Sequence, residues 1–249
     1  MASLAPAVEG ATKIITFLAE AEREVGISEI SRGTDINKNM VFRILNTLEQ
    51  VGWVYCSDQK YSLTLALFGM SSRPISRLSL NTVATPILYD LLNKTGESTY
   101  LGILNNDKVL YTQHLDGVKN VRVAGRVGGE YDLYCSAPGK VLLAFSDEAF
   151  IEEYASRSLV KRTKNTITEK AEIIKELENI RSNGYATDRE EFGNGVVCAA
   201  APIYDYSGKA VAVIGCSAFT LDGKSDEIIE KLLPSVRDAA KEISVRLGG

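Results

Sequence analysis

Histidine is almost missing from this 249-residue chain: His114 stands alone. A metal site of the H-E-x-x-H kind needs two histidines and is excluded. A Ser-His-Asp triad would depend on His114, and no G-x-S-x-G turn accompanies it. His114 reads instead as a partly exposed member of the strand-like run 109–114. Cysteine is scarce as well. Cys56, Cys135, Cys198 and Cys216 include no C-x-x-C pair, so zinc-ribbon and zinc-finger spacings are absent. Each reads as a small buried hydrophobe with a reduced thiol. No apolar run approaches the roughly 20 residues that span a bilayer. The opening MASLAPAVEGATK has no basic stretch followed by an apolar one. The expectation is a cytoplasmic protein with no membrane contact. Gly125-Arg126-Val127-Gly128-Gly129 does not fit G-x-G-x-x-G, and Gly139-Lys140 lacks the rest of a P-loop. No metal or cofactor is expected.

Apolar residues make up 45% and charged residues 24%, ordinary for a globular chain of one or two domains. The net charge of -4 argues, taken whole, against a simple basic nucleic-acid binder. The distribution changes that reading. Residues 1–77 carry eight Lys/Arg and eight Asp/Glu, whereas residues 78–249 carry 20 and 24. The acidic excess belongs to the second part. Within the neutral first part, residues 32–43 hold Arg32, Lys38 and Arg43 against Asp35 alone.

The first part has a recognisable order of elements. Ile14, Ile15, Phe17, Leu18 and Ala21 give residues 8–24 the spacing of an amphipathic helix. Ser28 is placed to cap a short helix over residues 28–32, which Gly33 breaks. After a tight connection at residues 34–36, Asn37 caps a third helix running to about Val51. On that helix Val41, Ile44, Leu45 and Leu48 form one apolar stripe, and Asn39, Arg43, Asn46 and Gln50 lie opposite. Gly52 closes it, and residues 53–56 and 61–63 flank a polar turn as a hairpin. This is the order of a winged helix-turn-helix. A DNA major groove admits one helix, whose N-terminal side chains reach base edges. Those side chains are Lys38, Asn39, Phe42 and Arg43. Arginine pairs bidentately with guanine, asparagine with adenine, and an apolar ring meets a thymine methyl. Arg32 and Lys60, the latter at the wing, are candidate phosphate contacts. A solvated helix face is the alternative reading of the same residues.

The run ISEISRGTDINKNMVFRILNTLEQVGWV, followed by YSL, resembles the IclR-type bacterial transcription regulators. So do TGESTYLGIL, RVGGEYDLYCSAPGKVLLAF, NTIT, GYATDREEFGNGVVCAAAPIYDYSGKAVAVIG and the closing AAKEISVRL. The resemblance covers nearly the whole chain. It implies an α+β protein with an N-terminal winged helix-turn-helix, a linker helix and a C-terminal GAF-like effector-binding domain. The corresponding spans are residues 1–66, 67–80 and 81–249. It further implies operator DNA and a small-molecule effector as partners, the effector being an organic acid or an aromatic catabolite. Homodimers, which also pair into tetramers, are the implied assembly.

Beyond residue 67, Pro74 interrupts an apolar linker, and residues 78–94 read as a helix around Pro86. Strand-like runs fall at residues 98–104, 109–114, 121–127, 196–204 and 210–219. Helical patterns fall at 138–145, 147–156, 170–183 and 225–247. A central antiparallel sheet flanked by helices follows. Ser136 can cap the helix at Pro138, whose amides at Gly139 and Lys140 would attract an anion, and Gly139 would let a ligand approach the backbone. An ordinary capped helix packed on the sheet is the competing reading. The resemblance places this segment, with Ser136, Ala137, Gly139 and Lys140, at the effector pocket. It also places Asp188 and Cys198 there, ten positions apart, with Glu191 able to serve instead of Asp188. Gly215 and Ser217 complete the set, although Gly215 departs from the hydroxyl residue some members carry. Tyr131 and Tyr134 could roof an apolar ligand or belong to the core. Asp188 could equally be a turn residue beside Gly184, and Glu190 with Glu191 a solvated pair.

Two rival functions use the same scaffold. A thiol redox sensor would need accessible, low-pKa cysteines at Cys135, Cys198 or Cys216. A GAF-type reductase would need thiol chemistry that the missing C-x-x-C makes difficult.

Overall fold

A computed structural model describes residues 5–21, 23–67, 80–220 and 223–249. The chain divides into two compact units, Met1–Leu78 and Ser79–Gly249. Most of the expected linker, residues 67–80, lies outside the described residues.

The first unit is built on helices α1 (Pro6–Glu20), α2 (Ile27–Thr34) and α3 (Lys38–Gln50). Strands β1 (Val25–Gly26), β2 (Val54–Ser57) and β3 (Lys60–Leu63) form a small sheet in the order β1-β3-β2. The apolar stripe of α3, Val41, Ile44, Leu45 and Leu48, meets Ile14 and Leu18 of α1, Ile30 of α2 and Val54 and Tyr61 of the sheet. The Asn37 side chain accepts the amide of Met40 at 2.9 Å and so caps α3 as expected. Ser28 does not cap α2. That helix starts one residue earlier, with Gly26 before it and no side-chain cap. The reason is β1, which the sequence does not announce: Gly26 pairs with Lys60, so the helix leaves directly from a strand. Ser57 pairs with Lys60 across a two-residue turn in which Asp58 and Gln59 both have positive φ. Such a turn matches the natural twist of a hairpin.

The second unit is a six-stranded antiparallel sheet in the order β6-β5-β4-β9-β8-β7. Its strands are β4 (Ser98–Asn105), β5 (Lys108–Leu115), β6 (Glu130–Asp132), β7 (Ala186–Arg189), β8 (Val196–Tyr204) and β9 (Ala210–Phe219). Alternation along the strands separates two cores. Ala199, Ala201, Ile203, Ile214 and Cys216 face helices α4 (Leu80–Thr95) and α8 (Ser225–Arg246). Both helices run through an internal proline, Pro86 and Pro234. Tyr100, Tyr111, Cys198, Ala200 and Val213 face α5 (Ala137–Ala144), α6 (Glu148–Ala155) and α7 (Lys170–Asn183).

Two strand expectations change. Residues 121–127 form no strand. The edge of β5 is taken lower down by β6, and Tyr111 exchanges bonds with the backbone of Gly128 and Gly129. The chain between is left to run over the sheet as an irregular strap. Asp188, in contrast, is no turn residue: it sits in β7, paired with Cys198.

Candidate functional site

Strand register assembles a polar row on the α5 face of the sheet. Asp188 of β7 pairs with Cys198 of β8, Cys198 with Ser217 of β9, and Ser217 with Ser98 of β4. The next row is Ala186, Ala200, Gly215, Tyr100 and, on β5, His114. These segments are far apart in the chain and meet only through pairing.

A cavity of about 60 Å³ opens on these rows. Asp188, Cys198, Ser217, Ser136 and Pro138 line it together with Tyr111, His114, Tyr131, Phe192 and Val196, and Val123, Ala124 and Gly125 of the strap close it. Of the expected effector residues, Ser136, Asp188, Cys198 and Ser217 therefore share one cavity. Ala137, Gly139, Lys140, Glu191 and Gly215 are not in its lining.

Each of these five has a physical reason for standing back. The Gly139 amide is bonded by the Ser136 hydroxyl at 3.1 Å, and the Lys140 amide by the Ser136 carbonyl at 2.9 Å. Neither is free for an anion, contrary to expectation. A Cβ at Gly139 would lie 2.5 Å from the Asp132 carbonyl oxygen and from Leu133 Cα, so this glycine serves helix packing rather than ligand approach. A Cβ at Gly215 would meet the Ala199 carbonyl and the Tyr100 hydroxyl, each at 2.4 Å. The Tyr100 ring thus takes the space a side chain there would occupy. Ala137 is buried in the core between α5 and the sheet.

Lys140 and Glu191 hold one another. The Lys140 ammonium lies 2.7 and 2.8 Å from the two Glu191 carboxylate oxygens and 3.0 Å from Glu176. Burial works to lower the Lys140 pKa, but the two carboxylates outweigh it and keep it above the ordinary lysine value. Glu191 is consequently buried and paired, not solvated; its neighbour Glu190 accepts from Ser225 and from the Gly195 amide. Tyr134 belongs to the core and donates to the Val160 carbonyl at 2.6 Å.

Asp188 is the polar centre of the cavity. Its Oδ1 accepts the amides of Glu191 at 2.6 Å and Phe192 at 3.3 Å, while Oδ2 is buried with no partner. Burial, reinforced by the Glu191 charge, pushes its pKa up to about 7. Buried polar groups are rarely left unbonded, so Oδ2 marks a position for a donor. Next to it the Cys198 sulfur and the Ser217 hydroxyl are 3.1 Å apart.

Several lining residues escaped the sequence. His114 is partly exposed, as expected, but its imidazole turns inward, with the side chain only 6% accessible. A bulge in the β4–β5 ladder explains this. Gly102 pairs with Tyr111 and Leu101 with Gln113, so the alternation slips and Tyr111 and His114 share the cavity face. Ser98, outside the lining and unnoticed too, donates to the Val123 carbonyl at 2.7 Å and accepts the Gly117 amide at 3.0 Å, pinning the strap. The signal available was the alternating pattern of residues 109–114, which the bulge reverses.

The thiols do not suit a redox sensor. Burial pushes Cys135 and Cys216 up to about 12 and Cys198 well above the usual thiol value, and all three are buried. A reactive cysteine needs the opposite setting. Among the described residues no group of His, Cys, Asp and Glu side chains is placed to hold a metal ion, and no helix is long and apolar enough to cross a membrane.

In the first unit Lys38, Asn39, Phe42 and Arg43 stand exposed on the outer face of α3, with Phe42 49% accessible. Arg32 on α2 and Lys60 at the start of β3 are exposed as well. None of these four cations takes part in a salt bridge among the described residues. Exposed unpaired cations and an exposed ring flanking a helix N-terminus are what a groove-reading surface requires.

Comparison with known proteins identifies both units of the chain. Residues 7–56 match the IclR helix-turn-helix domain and residues 72–245 the C-terminal domain of bacterial IclR transcriptional regulators. The chain is 34% identical over 238 residues to the HTH-type transcriptional regulator KdgR of Escherichia coli, covering 94% of this chain and 90% of that protein. It superposes with a TM-score of 0.83, at 23% identity, on an IclR transcriptional regulator from Silicibacter, covering 98% and 96% of the two chains. It also matches, at TM-score 0.63 and 22% identity over 97% and 98% of the chains, an IclR homologue from Microbacterium hydrocarbonoxydans crystallised with 4-hydroxybenzoate. The chain belongs to the IclR family: it is a DNA-binding transcriptional regulator whose operator binding is modulated by a small-molecule effector.

Proposed function

We propose that the effector is a small organic acid or aromatic catabolite bound in the cavity on the α5 face of the sheet. The carrying observation is the buried, unpartnered Oδ2 of Asp188 among aromatic walls. An effector hydroxyl would satisfy it, with the apolar part against Tyr131 and Phe192. Ser136 and Ser217 offer further polar contacts. The 4-hydroxybenzoate bound by the Microbacterium homologue has this combination of a ring, a hydroxyl and a carboxylate. A thermal-shift screen of carboxylic acids, with and without a ring, tests the reading. A ligand selective for the native state raises the melting temperature by mass action. An acid that does so should also change operator binding in a gel shift, because coupling requires different affinities for the two DNA-binding states. Acids that leave both unchanged would remove this class.

On the DNA side, Lys38, Asn39, Phe42 and Arg43 read bases in this proposal, and Arg32 and Lys60 hold phosphates. Few cations per protomer mean weak non-specific attraction, so specificity rests on a homodimer, or a tetramer made of two such dimers, spanning two half-sites. Arg43→Ala should weaken specific operator binding by about 1–3 kcal/mol and relax preference at one base position. A gel shift showing unchanged affinity would overturn the assignment of the outer face of α3. The reading carries no catalytic step, and places the protein with the DNA in the cytoplasm.

A further inference from the structure

We propose that His114 is a specificity determinant of the effector cavity: an acidic effector binds with its carboxylate at the His114 imidazole, which takes up one proton from solvent as it does so. This rests on the cavity being the effector site.

The cavity has an acid and no permanent cation. Neither lysine nor arginine appears in its lining, and the nearby buried ammonium of Lys140 is held by Glu191 and Glu176. His114 is the one lining side chain able to become positive. A carboxylate taken into this space without a counter-charge would lose its hydration unreplaced, and Asp188 would repel it. The acidic end is thereby directed to His114 and the hydrogen-bond-donating end to Asp188 Oδ2.

The imidazole is built for this exchange. Its ring stacks on Tyr111, with centroids 6.1 Å apart, and Tyr111 stacks on Tyr100 at 4.7 Å. The strap lies on its other edge: a Cβ added at Gly125 would stand 2.4 Å from Nε2. The strap is fixed on one side through Ser98 to Val123 and Gly117, and on the other by the Gly128 amide on the Tyr111 carbonyl. A cavity of about 60 Å³ has the bulk of about two waters. An acid of more than a few atoms must therefore lift the covering residues Val123, Ala124 and Gly125, and lifting Gly125 exposes Nε2 to the ligand.

The surrounding charges leave His114 poised. Burial lowers its pKa below the ordinary imidazole value, and Asp116, whose Oδ1 is 3.7 Å from Nδ1, acts in the other direction. Asp116 is itself shared with Arg122 at 3.5 Å. The other titratable groups lining the cavity are Tyr111, Tyr131, Cys198 and Asp188. Burial raises the first three, which stay neutral near pH 7, whereas Asp188 is pushed up to about 7 and His114 is held below the ordinary imidazole value. A bound carboxylate supplies the missing opposite charge and raises the imidazole pKa.

The single histidine makes the test direct. The full chain labelled with 15N-histidine gives one imidazole, whose titration is followed by NMR alone and with excess glycolate, pyruvate, benzoate or 4-hydroxybenzoate. With at least one acid the imidazole pKa should rise by about one unit or more, and calorimetry in buffers of different ionisation heat should show proton uptake. Affinity for that acid should fall up to about tenfold per pH unit between the free and bound pKa values. His114→Gln and His114→Asn should bind it about tenfold more weakly and lose the His114-linked part of the pH dependence and the proton uptake, while Asp188→Asn keeps the His114-linked slope. An imidazole pKa unmoved by all four acids overturns the proposal, as does a slope lost in Asp188→Asn but kept in His114→Gln. If an acid stabilises the chain and shifts DNA binding equally in wild type and His114→Gln, only the role of His114 fails. If acids bind but the bound site leaves His114, Asp188 and Ser217 signals all unperturbed, the cavity assignment fails with it.

Discussion

Lys140→Ala should destabilise the second unit by about 3–5 kcal/mol in urea unfolding of the full chain. The Lys140 ammonium, 2% accessible, is the only charge opposing Glu191 in the hydrogen bonds described, and it meets both carboxylate oxygens. Glu176, 27% accessible, can turn to water when the lysine is lost, but Glu191 at 8% cannot. The expense of a buried unpaired carboxylate falls on the folded state. Glu191 also donates its amide to Asp188 Oδ1, so its displacement disturbs the cavity's polar centre. Replacing both partners, as in Lys140→Met with Glu191→Leu, should recover most of the stability, because two apolar groups leave no orphaned charge. Such a double variant should still lose effector response, the segment after β7 no longer being clamped to α5. A single variant as stable as wild type would mean that the pair is solvated in solution.

What the sequence conveyed and what it withheld divide along local and non-local lines. The α3 stripe of Val41, Ile44, Leu45 and Leu48 and its Asn37 cap lie within a dozen residues, and helical periodicity alone locates them. Local patterning likewise locates α7 and the strands β8 and β9. Register between distant strands leaves no such local trace. The row Asp188, Cys198, Ser217 and Ser98 exists only because β4, β7, β8 and β9 pair at particular offsets. A single bulge beside Leu101 and Gly102 moved His114 from one face to the other. The alternating residues 121–127 have the pattern of a strand, but β6 and the Gly128–Gly129 backbone occupy the edge they would need. Gly139 and Lys140 carried an anion-site pattern, yet Ser136 satisfies both amides, a fact of cap geometry rather than composition.

Asp188→Asn should flatten the dependence of stability on pH between about 4 and 7 and, at pH 8, make the ligand-free protein more stable. The sign follows from linkage. The folded-state pKa of Asp188 is about 7, above the ordinary aspartate value of 3.8, so the folded state binds more protons than the unfolded one between those values. Stability is therefore fully present below the unfolded pKa and is lost as pH rises through the folded one. A three-unit difference corresponds to about 4 kcal/mol above pH 7. Asparagine cannot ionise and keeps an oxygen for the amides of Glu191 and Phe192. Its NH2 group takes the place of the unpartnered Oδ2 and costs about 1–3 kcal/mol if left unbonded. The net gain at pH 8 is then about 1–3 kcal/mol, and at pH 5, where Asp188 is already neutral, the variant should be equal or slightly weaker. The gain should accompany a loss of response to hydroxylated effectors, since a donor would replace the acceptor they meet. Urea unfolding at pH 5 and pH 8, with gel shifts in the presence of 4-hydroxybenzoate, measures both effects. Equal pH dependence in the variant and wild type would show that Asp188 is not the group whose burial the second unit opposes.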